Sequence, residues 1–406
     1  VTEVAYRPFS QPVQADPYPF YAELRERAPV HYLPDEDLWV LTRYDDVAAA
    51  LRDPGTFSSQ AGMSDLMLGA GRSAEAVPDF LADMIGRRVL IAVDPPDHHV
   101  LRRLTAKVFT PRAISELEGR IRELTELLVD DLIDAGESGD VVTQLACPLP
   151  VVVIAELLGI PSERRADFKR WSDSLVGALS GSLNVSAMQA DSTEMFMFFS
   201  EALTERTRNP RDDLISLLIT RGKDESAALG PVEIILFCIL LLIAGNETTT
   251  NLIGNGLQAV WDHPDQARLI ANDPSLIPTA VEETLRYDSP VQALFRGTTA
   301  EATLPSGGVI PADARVMVAF GAANRDADHF PAADTFMADR TPNDHLAFGA
   351  GIHFCLGAPL ARLEARVVAE TLHRRARRIV PAGEPERVDS FILRGFTRLP
   401  TWVQAR

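Results

Sequence analysis

Phe348-Gly349-Ala350-Gly351-Ile352-His353-Phe354-Cys355-Leu356-Gly357 is the stretch on which the reading of this chain turns. A lone cysteine in an intracellular protein is ordinarily a small buried hydrophobe. Here Gly349, Gly351 and Gly357 flank it, freeing the backbone to turn tightly and to approach a bulky partner closely. A helical pattern follows at once, so Cys355 stands where helix N–H groups and the helix dipole favour a thiolate, the form that ligates metal. The other two cysteines, Cys147 and Cys238, lie far away and form no CxxC pair, which argues against a disulfide framework or a structural zinc site.

The loop resembles the haem-binding motif of the cytochrome P450 family, F-G-x-G-x-H-x-C-x-G, at every fixed position. By that resemblance the cofactor is haem b, with Cys355 as its proximal thiolate ligand, the arrangement whose electron push favours O–O cleavage. The resemblance also implies that His353 binds a haem propionate, that Phe348 packs beside the sulfur, and that Gly357 borders the cofactor.

Upstream, a long helical pattern over residues 231–263 contains Ala244-Gly245-Asn246-Glu247-Thr248-Thr249. A helical threonine can bond back to the carbonyl four residues earlier, here that of Ala244, and Gly245 would ease a local distortion. The segment resembles the family's [AG]-G-x-[DE]-T motif on the helix crossing the distal haem face. Ala244 would then contact the haem, Thr248 would stabilise bound dioxygen, and Glu247 would relay protons as a general acid. Members of the family that use peroxide usually lack this pair, so its presence favours O2 with an external electron supply.

Glu283 and Arg286 form an i, i+3 pair, alone no more than a weak surface ion pair. Standing 72 residues before Cys355, they match the family's E-x-x-R element, a buried ion network with a structural role, and Arg340 is the candidate third member. Haem brings two carboxylates that need cationic partners. His98 and Arg102 share a helical face and resemble the family's D-P-P-x-H-x-x-x-R; Arg296, ten residues after Arg286, occupies the place of another propionate-binding arginine.

The formal net charge of −18 argues against a nucleic-acid partner. Against that background Arg102, Arg103, Lys107 and Arg112 make a local basic stretch, and Arg362 and Arg366 follow the cysteine at a four-residue interval. A basic proximal face would attract an acidic carrier, so a separate ferredoxin with its NAD(P)H-dependent reductase is expected. Only 51 residues follow Cys355, too few for a flavin domain. No basic-then-apolar segment opens the chain, and the longest apolar run, residues 234–244, falls short of the ~20 residues of a membrane helix. A cytoplasmic protein without membrane contact is expected.

Periodicity predicts a mainly α chain with a minor β region, in a single haem domain over residues 1–406. Helices are expected from Asp94 onward, over 115–135, 162–179, 193–207, 231–263, 278–287 and 356–377, with β-prone pieces at 298–304 and 315–320. The first 60 residues read as turns and short strand-like runs such as 38–44. The fold implied by the resemblance holds haem between the long distal helix and the cysteine loop.

The substrate reading rests on apolar residues. Leu240 and Ile243 precede Ala244 on the distal helix; Val291, Ala293 and Leu294 lie just before Arg296; Ile392 and Leu393 come from the C-terminal loop. By resemblance, residues 63–85 and the region around 175–197 cover the entrance. These linings suit a lipophilic terpenoid, steroid, fatty-acid-derived or polyketide molecule, unless Arg72 or Arg394 supplies a charged anchor. The expected reaction is hydroxylation or epoxidation; the alternatives are a haem-thiolate peroxygenase and a non-catalytic haem protein that binds a gas or ligand.

Overall fold

A computed structural model describes residues 5–62, 88–106, 109–180, 185–223 and 229–406. The 63–85 stretch, Arg72 and Lys107 lie outside the described residues, as do the side chains of 175–187.

The N-terminal region is more helical than its turn-rich sequence suggests. Helices α1 (Tyr18–Arg27) and α2 (Tyr44–Arg52) flank strands β1 (Val30–Leu33) and β2 (Leu38–Leu41). Pro17 and Pro19 read as turn signals, yet proline is tolerated in a first turn, and Tyr21, Leu24 and Arg25 form one buried helical face. In α2, Asp45 and Asp46 lie in the first turn and Arg52 in the last, as the helix dipole favours.

After β3 (Phe57–Ser58), α3 (Asp97–Ala106) carries His98 and Arg102. The Asp94 carbonyl receives the His98 N–H, while its carboxylate accepts from Ser58 Oγ at 2.5 Å and the Ser59 N–H at 2.9 Å. Asp94 thus ties this helix to β3. Helix α4 (Pro111–Asp134) is capped by Thr110, whose hydroxyl accepts from the Ala113 N–H. Helix α5 (Pro148–Leu157) is apolar nearly all round and buried, which removes the periodicity that would have marked it. Helices α6 (Arg165–Ser180), α7 (Val185–Arg208) and α8 (Leu214–Lys223) follow.

Helix α9 (Pro231–Asp262) is the axle of the fold, in contact with α5, α6, α7, α8, α10 (Ile277–Tyr287) and α11 (Ala358–Arg375). Its 32 residues, with mean hydropathy reaching 1.8, are long and apolar enough to cross a membrane, although the run 234–244 alone is not. Here it is a core helix, and several of its polar side chains bond within the protein. Asn246 donates to Ser172 Oγ (2.8 Å), Thr250 to the Ala146 carbonyl (3.1 Å), and Asn255 to the carbonyls of Asp288 and Arg394 (2.9 Å each).

Five strands form the main sheet in the order β1-β2-β5-β4-β3, with β4 at Leu294–Thr298 and β5 at Arg315–Val318. Only β2 and β5 run parallel, with Leu41 opposite Val318; the other pairs are antiparallel. The expected 298–304 strand is displaced: β4 begins earlier and stops at Thr298, a bend intervenes, and Ala302–Thr303 pairs separately with Val309–Ile310. Likewise β5 ends at Val318, and Phe320 opens a short helix rather than extending the strand. A C-terminal ribbon joins β6 (Ala376–Pro381) to β7 (Thr401–Ala405). The molecule is mainly α with a minor β region.

Candidate functional site

Gly349 and Gly351 adopt φ of +70° and +67°, the left-handed region in which a side chain is strained. At Gly351 space also forbids one: a Cβ would lie 2.4 Å from the Leu51 carbonyl oxygen at the end of α2. The loop is closed by the Gly349 N–H donating to the Leu346 carbonyl (2.8 Å) and the Cys355 N–H donating to that of Phe348 (2.9 Å). Gly357 differs from the tight turn expected of it. Its φ is an ordinary −82°, and a Cβ there would meet no described atom within 4 Å. Its small size leaves room beside the cysteine.

Cys355 is half-buried. Burial pushes its thiol up, while the N–H groups of Gly357 and Ala358 and the charges of Arg102 and Arg362 pull it down. Helix α11 starts at Ala358, so its first N–H groups face the sulfur. Among the described residues, no three His, Cys, Asp or Glu side chains could hold a metal ion by themselves.

Four basic side chains converge beside this loop, from three parts of the chain. The His98 and His353 rings lie 4.3 Å apart between centroids. Both ring nitrogens of His98 are buried without a hydrogen-bond partner, while His353 Nε2 lies 3.0 Å from Ser59 Oγ. Arg296, on β4, is buried, and its guanidinium donates to its neighbour's carbonyl, that of Phe295 (2.7 Å). Burial first, then the Arg102 and His99 charges, brings His98 down to about 4. Burial and the charges of Arg296, His98 and Arg102 bring His353 to about 3. Burial likewise lowers Arg296 to about 10, with Asp94 opposing. Basic groups that depress one another in a buried place lack anionic partners. The two carboxylates of a haem are the charges that would relieve them, so the residues present fit that group.

Helix α9 turns one stripe of an otherwise buried surface outward. Ala244 is exposed, and Leu240, Ile243, Glu247 and Thr248 are partly so, at helical spacing. The Thr248 hydroxyl donates to the Ala244 carbonyl at 2.7 Å, as its position in the helix predicts. No break in the helix accompanies this bond. Gly245 serves packing instead: a Cβ there would lie 3.0 Å from Ile154 Cδ1 of α5.

Val291 pairs with Leu393 in an isolated bridge, and the Gln292 N–H donates to the Ile392 carbonyl at 2.6 Å. Val291, Ile243, Ala293, Ile392 and Leu393 thereby share one apolar cluster drawn from three chain segments, and Leu294 packs nearby. Ile392 itself is buried at 3% exposure. Arg394 offers no charged anchor to this cluster, because it is held by Asp288 (2.6 Å) and the Ala15 carbonyl (3.0 Å).

Glu283 and Arg286 are completely buried, and Arg340 joins them. Arg286 Nε and NH2 lie 2.8 Å from the two Glu283 oxygens, and Arg340 Nε lies 2.9 Å from Oε2. Both arginines also reach the Thr335 carbonyl, so the network pins the irregular segment leading to the cysteine loop.

The proximal surface is less basic than its sequence suggests. Arg362 is paired with Glu282, and Arg366 with Glu118 and Glu370, which Arg122 also bridges. Arg112 is paired with Glu116. Arg103 is exposed on α3. Beside them Phe354, next to the cysteine, is 41% exposed. One buried acid escaped the sequence reading. Glu364 on α11 has a carboxylate oxygen without a partner, and burial raises it to about 8 despite a bond to Thr249 of α9. Its signal was its register with Leu360, Val367 and Thr371 on the buried face of the helix.

This arrangement has close relatives among known proteins. The family model for Cytochrome P450 matches residues 29–401. The vitamin D(3) 25-hydroxylase of Pseudonocardia autotrophica is 40% identical over 98% of this chain and 96% of its own. The structure of cytochrome P450 CYP109Q5 from Chondromyces apiculatus superposes with TM-score 0.88 at 39% identity, covering both chains fully. That of CYP109E1 from Bacillus megaterium in complex with testosterone gives TM-score 0.83 at 34% identity, covering 97% of this chain and 99% of that one. With its glycine-turned cysteine loop, its buried Glu–Arg lock and its whole-length likeness to these proteins, the chain belongs to the cytochrome P450 family and is a haem-thiolate monooxygenase.

Proposed function

We propose that this protein hydroxylates or epoxidises a steroid-sized apolar molecule, using O2 and electrons delivered by a ferredoxin. The observation that carries the reading is the outward stripe of α9, on which Glu247 and Thr248 follow Ile243, a residue packed in the apolar cluster. Support for the substrate class comes from the relatives: one is named for vitamin D(3), and another binds testosterone.

Bound haem supplies the oxygen-activating chemistry, and the chain supplies the rest. Cys355 is its thiolate ligand. His98, Arg102, Arg296 and His353 hold the two carboxylates, exchanging mutual repulsion for charge-assisted hydrogen bonds. Ala244, Phe348 and Gly357 border the ring. Leu240, Ile243, Val291, Leu294 and Ile392 orient the substrate and exclude water. Thr248 holds a proton at Oγ1 on the Ala244 carbonyl, and Glu247, one residue before it, supplies protons as the general acid. Glu283, Arg286 and Arg340 lock the fold around the loop. The single haem domain receives electrons at its proximal face, where Arg103, Lys107 and exposed Phe354 meet an acidic ferredoxin.

The test is turnover of testosterone and vitamin D3 by the purified protein with NAD(P)H, a ferredoxin and its reductase under isotopically labelled O2. One labelled oxygen atom in the product is expected. Product formed only with hydrogen peroxide would make the protein a peroxygenase; tight binding without product under either condition would make it a ligand-binding haem protein.

A further inference from the structure

Glu282 stands beside the buried Glu283 lock but is used differently. Its carboxylate accepts from Arg362 Nε at 2.7 Å and NH2 at 2.8 Å, a bidentate pair spanning 80 residues of chain. His345 Nε2 lies 3.1 Å from the same carboxylate, and its Nδ1 accepts the Ala347 N–H at 3.2 Å. Burial alone would raise Glu282, yet the His345 and Arg362 bonds bring it down to about 2, so the carboxylate is ionised at every working pH. The Arg362 guanidinium carbon lies 4.5 Å from the centroid of the Phe348 ring. Phe348 in turn accepts the Cys355 N–H, closing the loop that carries the thiol. A bidentate carboxylate fixes the plane of the guanidinium, and a fixed guanidinium fixes the ring beneath it.

We propose that Arg362, aimed by Glu282 and His345 onto Phe348, is the positioning residue that sets how readily the Cys355-ligated iron accepts an electron. The proposal rests on the reading of Cys355 as the haem ligand. Reduction adds one negative charge at the iron. The nearby cation favours that charge, and the carboxylate partly cancels it. The pair is a balanced source of potential, and its two halves must act with opposite sign. A purely structural clamp has no such property, because losing either half would loosen the same loop.

The experiment measures the one-electron midpoint potential of the holoenzyme, by dithionite titration with absorption readout, in wild type, Arg362→Gln, Glu282→Gln and the double variant. Each preparation is first checked for a thiolate-type carbon monoxide spectrum. Arg362→Gln should shift the reduction equilibrium about tenfold toward the ferric form, roughly 59 mV for a one-electron couple. Glu282→Gln should shift it in the opposite direction, and the double variant should fall between the two. If Arg362→Gln does not retain haem, Arg362→Lys keeps the charge and should stay nearer to wild type than the tenfold shift. Unchanged potentials, or shifts of the same sign in both single variants, would overturn the proposal. A wild-type spectrum without the thiolate band would instead show that the reading of Cys355 had failed.

Discussion

Arg340 Nε lies 2.9 Å from a Glu283 oxygen that Arg286 also holds, although 57 residues separate Glu283 from Arg340. A carboxylate with no exposure, shared by two nearly buried guanidiniums, is satisfied only while all three are present. Glu283→Gln should therefore cost about 3–5 kcal/mol, because two cations would be left buried without a counter-charge. Denaturant unfolding monitored by far-UV circular dichroism checks this, and haem should be lost at lower denaturant than in wild type. A change below about 1 kcal/mol would show that the lock is dispensable.

Gly351 combines a positive φ with contact against the Leu51 carbonyl. Gly351→Ala must either strain the backbone, at about 1–3 kcal/mol, or push α2 away from the loop. The expected result is a lower melting temperature together with a loss of haem per protein chain. Gly357→Ala, where a Cβ meets nothing described, should leave the melting temperature of the haem-free protein almost unchanged. Equal effects of the two substitutions on the haem-free protein would contradict this reading of the loop.

Much of this site was legible because its chemistry is local in sequence. The cysteine, its glycines and the helix after it lie within a few residues, and Thr248 bonds to Ala244 at the helical spacing that predicts it. What stayed hidden depends on long-range contact. Arg362 and Arg366 read as a free basic face, and only the fold brings Glu282, Glu118 and Glu370 onto them. Ser59 meets His353 across 294 residues of chain. Helix α5 escaped notice because prolines and three consecutive valines mask a segment that is buried all round, where tertiary packing outweighs local propensity. The same is true of Tyr18–Arg27, whose prolines look like turns until the buried face of Tyr21, Leu24 and Arg25 is seen.

Glu364 makes stability depend on pH. Its carboxyl is raised from 4.5 to about 8 in the fold, so the folded protein holds this proton more tightly than the unfolded chain does. The stabilisation by the neutral acid is complete below about pH 4.5 and is lost as pH rises through about 8. Glu364→Gln cannot ionise, so its stability relative to wild type should increase from pH 5 to pH 9. Denaturation midpoints of both proteins at several pH values measure that difference, and a flat difference would contradict a buried neutral acid.

Thr248→Ala removes the hydroxyl on the outward stripe of α9 while leaving the helix backbone bonds intact. Substrate binding, read from spin-state spectra, should be nearly unchanged, while NAD(P)H oxidation should separate from product formation. Product per NAD(P)H should fall about tenfold or more, with Thr248→Ser retaining most of it. Glu247→Gln should instead slow product formation by about 10²-fold, as expected for loss of a general acid. Tightly coupled turnover in Thr248→Ala would remove Thr248 from the proton path.

The central claim is that Cys355 ligates haem through its thiolate, and the absorption spectrum of the dithionite-reduced, carbon monoxide-bound protein tests it most directly. A strongly red-shifted Soret band is expected in wild type, lost in Cys355→Ala and kept in Cys147→Ala and Cys238→Ala. An unshifted Soret band in wild type, or a shifted one that survives Cys355→Ala, would contradict the claim.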